Sequence, residues 1–167
     1  MTMHTLFYVN KALYTETIRG LIKDAAHEYD KTCYISFNDP FNIVVRFFET
    51  IHGLDLDKFI IVDSSGKEVS KKSINMQTYV VPIHDVFRTY LFLRDIIREQ
   101  NVQHIFIDSL SALIHRFSDM PLKRMISDLL LEVGQYKCDT SMVVFHEHLD
   151  HDIVQGLSPF IGKNVRL

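Results

Sequence analysis

Short apolar runs alternate with longer amphipathic stretches along the chain, and this alternation constrains the fold more than any other feature. Five runs indicate buried strands: Thr5–Val9, Cys33–Phe37, Phe59–Val62, His104–Ile107 and Met142–Phe145. Apolar strands separated by helices of roughly ten to eighteen residues are typical of a parallel sheet covered on both faces. The pattern predicts a single doubly wound α/β domain over residues 1–167, with three layers and a mainly parallel sheet of about five or more strands.

The stretches between these strands indicate four main helices: Leu13–Tyr29, Pro40–His52, His84–Gln100 and Pro121–Tyr136. For the second helix, Pro40 suits the first turn, Asp39 suits the N-cap and Gly53 suits the C-cap. The polar segment Ser64–Thr78 is predicted to be the longest loop, followed by a short strand at Thr78–Val81.

Composition excludes several classes of protein. The chain is 47% hydrophobic with a formal net charge of −3, which argues against disorder and against a nucleic-acid partner. No apolar run approaches the ~18 residues of a membrane span, and the N-terminus lacks signal-peptide features. The cysteines, Cys33 and Cys138, lie in or beside apolar stretches and are predicted to be buried thiols in a reducing compartment. We therefore expect a cytoplasmic protein that binds neither nucleic acid nor membrane.

Ligands of open parallel sheets bind at the carboxyl ends of the strands, and Asp108 follows the fourth main strand there. A carboxylate in this place can hold a Mg²⁺-bound water, as in P-loop nucleotidases. Asp108 and the adjacent Ser109 also suit the N-cap of a following helix. Spacing alone leaves both interpretations open.

Two segments resemble the RecA superfamily, in particular its KaiC-like branch. Thr32–Ser64 contains a strand, a helix that ends near glycine, an LDLD stretch and a strand that ends in aspartate. Ile96–Ile114 contains HIFIDSLSAL, which is similar to the Walker B strand and the start of its helix. The resemblance implies the fold of a P-loop NTPase, side-by-side self-association and a nucleotide or Mg²⁺ site that includes Asp108, Ser109 and Asp39.

The phosphate-binding loop of that family has no counterpart here. Backbone N–H groups of a glycine-rich turn must cradle phosphate, yet no glycine precedes Gly20 and no Gly-Lys-Ser/Thr follows the first strand. Leu13 and Tyr14 are expected to occupy the space where phosphate would approach the backbone. Asn38 and Asp39 also stand where the family usually has a glutamate that polarises the attacking water.

These departures predict a RecA/KaiC-like domain that has lost ATP hydrolysis, and they argue against ATP binding. We expect no cofactor and no catalytic residues in such a domain. It would act as a regulatory or protein-interaction module, bound to a protein partner or to copies of itself. An ATPase with an atypical phosphate loop is one alternative.

The second alternative comes from a histidine-rich run after the last main strand. His146, His148, Asp150 and His151 form the string H-x-H-x-D-H, which resembles the metal-binding string of the metallo-β-lactamase superfamily. Imidazoles and carboxylates suit Zn²⁺, Mn²⁺ or iron, so the run predicts either a divalent-metal site or a metal-dependent hydrolase. In that superfamily a long chain follows the string, whereas only a short tail without histidine follows here. The run itself favours a third interpretation, a polar, exposed loop at the end of the strand.

Overall fold

In a computed structural model, a parallel sheet of seven strands forms the centre of the molecule. The structure describes residues 1–67, 76–81 and 86–167, without the side chain of Val86. The strands are β1 His4–Val9, β2 Thr32–Ser36, β3 Phe59–Asp63, β4 Gln77–Val80, β5 His104–Asp108, β6 Asp139–Phe145 and β7 Lys163–Arg166. Their order across the sheet is β4-β3-β2-β5-β6-β1-β7, and every neighbouring pair is parallel.

Helices cover both faces of this sheet, as predicted. They are α1 Tyr14–Glu28, α2 Phe41–Glu49, α3 Val86–Glu99, α4 Leu110–Ile114, α5 Asp119–Gln135 and α6 Asp152–Gly156. α1 and α2 pack on one face through apolar stripes that include Ile18, Ile22, Val44 and Phe48. α3 to α6 pack on the other face, where Leu93, Leu110, Ile126 and Val154 belong to a second core. The three-layer α/β prediction is confirmed.

The strands that were predicted from apolar runs lie at the centre of the sheet. Every residue of β2, β3 and β5 is buried, because helices cover both faces of these strands. Cys33 and Cys138 are both buried and free, as predicted. β4 begins one residue before its predicted position. The predicted loop at Ser64–Thr78 and the predicted helix start at His84 lie largely outside the described residues.

The N-cap prediction for α2 is wrong. The Asp39 backbone pairs with the Ser36 side chain: the Ser36 hydroxyl donates to the Asp39 carbonyl at 2.7 Å. The Phe41 amide, at the start of α2, instead donates to the Asp63 carboxylate at 2.9 Å. A side chain from the end of β3 therefore accepts the hydrogen bond from the first amide of α2. Gly53 adopts a φ of +75°, but it lies in the turn after the helix, which ends at Glu49.

The C-terminal tail adds a strand that the sequence did not predict. β7 pairs with β1 in parallel register, with Thr5 opposite Lys163 and Tyr8 opposite Arg166. β1 is therefore an interior strand, with β6 on its other side. In the described part of the chain, no helix combines the length and the apolar composition that crossing a membrane requires.

The strand order reverses direction between β2 and β5. From β2 the chain continues outward to β3 and β4, whereas from β5 it continues the other way to β6. The two strands are paired so that Ser36 lies opposite Asp108 at their carboxyl ends. Crevices at such reversals are the usual ligand sites of doubly wound sheets.

Candidate functional site

A buried carboxylate stands at this reversal, surrounded by hydroxyl and amide donors. Asp108 is only 3% exposed. The hydroxyls of Tyr14, from α1, and Tyr34, from β2, both donate to its Oδ2. The Asn38 side-chain amide donates to Oδ1 at 3.3 Å. Both oxygens of the carboxylate therefore already have donors from the protein.

The surroundings raise the pKa of Asp108 to about 6. Burial is the main cause, because it penalises the charged carboxylate, and the negative charge of Asp39 adds to it. The hydrogen bonds from Tyr14 and Tyr34 act in the opposite direction. Burial together with Asp108 also raises the pKa of each tyrosine, so both hydroxyls remain protonated donors.

Aromatic packing fixes the two tyrosines. Tyr34 stacks on Phe106 with ring centroids 5.1 Å apart and meets Phe48 edge-on at 5.0 Å. Tyr14 meets Phe145, at the end of β6, edge-on at 5.6 Å. Packing against Phe106, Phe48 and Phe145 therefore holds the two hydroxyls next to Asp108.

The turn between β1 and α1 is closed on itself. The Ala12 amide donates to the Asn10 side chain at 2.9 Å, and the Leu13 amide donates to the Asn10 carbonyl at 3.0 Å. The Tyr14 amide donates to the Lys11 carbonyl. Three consecutive N–H groups are therefore used within the turn. A phosphate cradle needs such groups to point at the ligand.

The other predicted nucleotide-site residues lie close to Asp108. The peptide bond from Asp108 to Ser109 is cis, and Ser109 caps α4 by accepting from the Ala112 amide at 3.2 Å. Asp39 lies at the same edge of the sheet. The Lys67 ammonium group donates to the Asn38 carbonyl at 2.6 Å. The structure thus brings Asp108, Ser109 and Asp39 together, while their role in binding nucleotide or Mg²⁺ stays a prediction.

A small pocket opens beside this cluster, between α1 and α2. Its volume is about 180 Å³. The lining is mixed, with apolar side chains of both helices beside polar groups of the cluster: Tyr14, Thr15, Ile18, Tyr34, Asp39, Ile43, Val44, Phe47 and Asp108. Drug-sized ligands usually occupy about 300–1,000 Å³. The pocket suits a side chain or a small molecule better than a nucleoside triphosphate.

The predicted metal ligands are spread over the turn that follows β6. His146 lies beside the Tyr8 carbonyl, with Nε2 3.1 Å from that oxygen. His151 Nδ1 accepts from the Ile153 amide at 3.3 Å and caps α6. Asp150 is exposed. The structure does not gather these side chains around one point together with His148.

A different grouping includes a histidine outside the H-x-H-x-D-H run. Ligand atoms of His115, Glu147 and His148 all lie within 4.8 Å of one another. Among the residues that the structure describes, this is the one group of three or more histidine, cysteine or acidic side chains with such spacing. His115 follows α4 and is distant in sequence from the run, so no local motif could have indicated it.

The fold is similar to that of a known structure, although the sequence matches no known family. No protein-family model matches the sequence, and no curated protein matches it. Among solved structures, a KaiC-like protein from the hyperthermophilic archaeon Pyrococcus horikoshii OT3 is similar, with a TM-score of 0.62 and 14% identity. The match covers 86% of this chain and 61% of the archaeal protein. This chain therefore spans less than two thirds of the length of the archaeal protein. The likeness and the seven-stranded parallel sheet together establish a RecA/KaiC-like α/β fold.

Proposed function

We propose that this chain is a RecA/KaiC-like domain that does not hydrolyse ATP and that acts as a regulatory or protein-interaction module. The observation that carries the proposal is the Tyr14 hydroxyl, which donates to Asp108 from the first residue of α1. The resemblance assigns to Asp108 the Mg²⁺-bound water of a P-loop nucleotidase. A protein hydroxyl instead contacts the carboxylate here, and it comes from the segment that would carry the phosphate loop.

The hydrogen bonds that Asp108 accepts support loss of metal binding at this carboxylate. A Mg²⁺ site needs free oxygen lone pairs and retains several waters. Two tyrosine hydroxyls and the Asn38 amide already donate to the two oxygens of Asp108. Burial also favours the protonated form of this group. Metal binding would have to displace these donors and stabilise the carboxylate charge.

The closed turn and the pocket support loss of phosphate binding. Phosphoryl transfer depends on positioning and on charge stabilisation around the phosphates. The amides of Ala12, Leu13 and Tyr14 are used within their own turn, and the adjacent pocket is about 180 Å³. The only lysine in the turn, Lys11, pairs with Glu147 at 3.7 Å.

Calorimetric titration of the metal-stripped chain with Mg-ATP tests the enzymatic half of the proposal. We expect no binding heat up to millimolar nucleotide and no Mg²⁺-dependent phosphate release. The variant Tyr14→Phe, which removes only the hydroxyl, should behave in the same way because the amides stay paired. Micromolar binding together with ATP hydrolysis that Asp108→Ala abolishes would contradict the proposal and favour an atypical ATPase.

Exposed apolar side chains next to the pocket support the interaction half. Leu13 is 56% exposed and Ile43, in the pocket wall, is 46% exposed. Because the resemblance implies side-by-side assembly, a second copy of the chain is the expected partner.

Sedimentation equilibrium over a concentration series measures this association. We expect a concentration-dependent mass that Leu13→Ser and Ile43→Ser reduce. The matched control is Leu131→Ser on α5, which removes a leucine of similar exposure, 57%, on the other face of the sheet. A monomer at every concentration, or equal effects of all three substitutions, would count against self-association through this edge.

A further inference from the structure

A second group of polar side chains lies at the same edge of the sheet, close to Phe145. It combines His115, directly after α4, with Glu147 and His148 from the turn after β6. The rings of His115 and His148 are 4.9 Å apart. Two imidazoles and a carboxylate form the three-ligand set of many zinc sites that leave further positions to water.

Ser111 holds His148 in place. This serine is 1% exposed and belongs to the fully buried side of α4. Its hydroxyl oxygen lies 2.9 Å from His148 Nδ1 and also accepts from the Phe145 amide at 2.8 Å. A metal-bound histidine usually donates a hydrogen bond from its second ring N–H to such a polar partner. When Nδ1 donates its proton to Ser111, Nε2 keeps the lone pair that a metal ion requires.

The neighbouring histidines are engaged elsewhere. His151 Nδ1 accepts the Ile153 amide, so in the neutral ring Nε2 carries the proton and no lone pair remains. His146 Nε2 faces the Tyr8 carbonyl, which can only accept, so this nitrogen donates and the lone pair of the neutral ring is on Nδ1. Neither side chain belongs to the group that His115, Glu147 and His148 form.

We propose that His115, Glu147 and His148 bind a late first-row divalent cation such as Zn²⁺, with Ser111 as a positioning residue. Zinc bonds of about 2.0–2.1 Å place tetrahedral ligand atoms roughly 3.4 Å apart. The ligand atoms, which lie within 4.8 Å of one another, must therefore approach slightly on binding. His115 and Glu147 are exposed, so their side chains have room to adjust, whereas His148 is half-buried and contacts Ser111.

Lys11 competes with the metal for Glu147. Its ammonium group lies 3.7 Å from Glu147 Oε1, and both side chains are largely exposed. An exposed pair of this kind is weak, so a divalent cation can displace the lysine. Removing Lys11 should therefore strengthen metal binding.

The test is calorimetric titration of the tag-free full chain with Zn²⁺. We expect one ion per chain with micromolar affinity. His115→Ala and His148→Ala should each weaken binding by about tenfold or more, and Ser111→Ala by about tenfold. Lys11→Ala should tighten it. The matched control is His146→Ala, which removes an exposed histidine of the same run and should change the affinity less than about twofold.

Two results would overturn the proposal. One is the absence of stoichiometric Zn²⁺ binding by the wild-type chain. The other is binding that His146→Ala or Asp150→Ala weakens while His115→Ala leaves it unchanged, because the ligands would then be those of the contiguous run. Circular dichroism of each variant separates loss of a ligand from loss of the fold. His115→Ala is the safest variant in this respect because its side chain is exposed.

Discussion

At the scale of single residues, Asp108 is distinguished by a buried carboxyl group whose pKa is raised to about 6. An unfolded chain would release this proton near pH 4. Between these values the folded state holds more protons than the unfolded state, so the free energy of unfolding falls as pH rises. The contribution of Asp108 is fully present below about pH 4, and up to ~3 kcal/mol is lost once the pH passes 6.

Urea unfolding of the wild type and of Asp108→Asn from pH 4 to 7.5 checks this prediction. The difference in unfolding free energy, wild type minus variant, should fall by about 2–3 kcal/mol as pH rises. His104 has the opposite effect, since burial lowers its pKa to about 4 and stability falls as pH drops from about 6.5. It is present in both proteins and cancels in the difference. A difference that stays constant with pH would show that Asp108 ionises equally readily in both states.

The sequence indicated some site residues and not others. The difference is explained by how far apart in sequence the contacting residues lie. Asp108 was identifiable because a carboxylate after an apolar strand is a local pattern. The absence of the glycine-rich loop was equally local. The bond from Tyr14 to Asp108 joins residues 94 positions apart, and His115 meets His148 only after α4 packs against β6. Such pairs follow from topology and not from spacing.

At the scale of elements, the start of α2 depends on Asp63, at the end of β3. Asp63 accepts from the Phe41 amide, and its other oxygen accepts from the Ser65 amide and hydroxyl. Because Asp63 is 1% exposed, removing it leaves buried donors without a partner. Asp63→Ala should lower the unfolding free energy by about 2–4 kcal/mol.

Asp39→Ala is the matched control, since local sequence rules place the N-cap there. Its side chain makes no capping bond to α2, so we expect a change below about 0.5 kcal/mol in the same urea experiment. A larger loss of unfolding free energy for Asp39→Ala than for Asp63→Ala would mean that the side chain of Asp39 caps α2. The rule fails here because a carboxylate from an adjacent strand reaches the same amide.

The main strands and helices were predictable because each buries a repeating apolar pattern. The central strands are apolar throughout, and the main helices carry stripes at helical spacing. The elements that the sequence did not indicate are short or half-exposed. α6 has five residues, and only Val165 of β7 is even partly buried. Their positions depend on contacts with the rest of the sheet.

At the scale of the whole molecule, the sheet order places both candidate sites at one edge. β5 and β6 are neighbours, so Asp108 at the end of one and the histidine run after the other lie on adjacent strands. Phe145 links them: its ring contacts Tyr14, and its amide donates to Ser111. The resemblance indicated the overall order of elements, while this adjacency required the pairing of the strands.

β7 covers the outer edge of β1. The Gly162 amide donates to the His4 carbonyl and the Leu167 amide donates to the Tyr8 carbonyl, both at 2.9 Å. Removing residues 163–167 would expose the polar backbone of β1, and exposed strand edges pair with other chains. We expect faster hydrogen exchange of the β1 amides that face β7, together with a loss of about 1–2 kcal/mol in unfolding free energy.

Lys163→Ala with Arg166→Ala is the control, because it removes two exposed side chains and keeps the backbone of β7. This double variant should retain the exchange rates of the wild type. The truncated chain should also form more oligomer at high concentration, since a second copy can pair with the free edge of β1. Unchanged exchange in β1 after truncation would mean that β7 is not paired with it in solution. Equal effects of truncation and double substitution would assign the stabilisation to the side chains and not to the strand pairing.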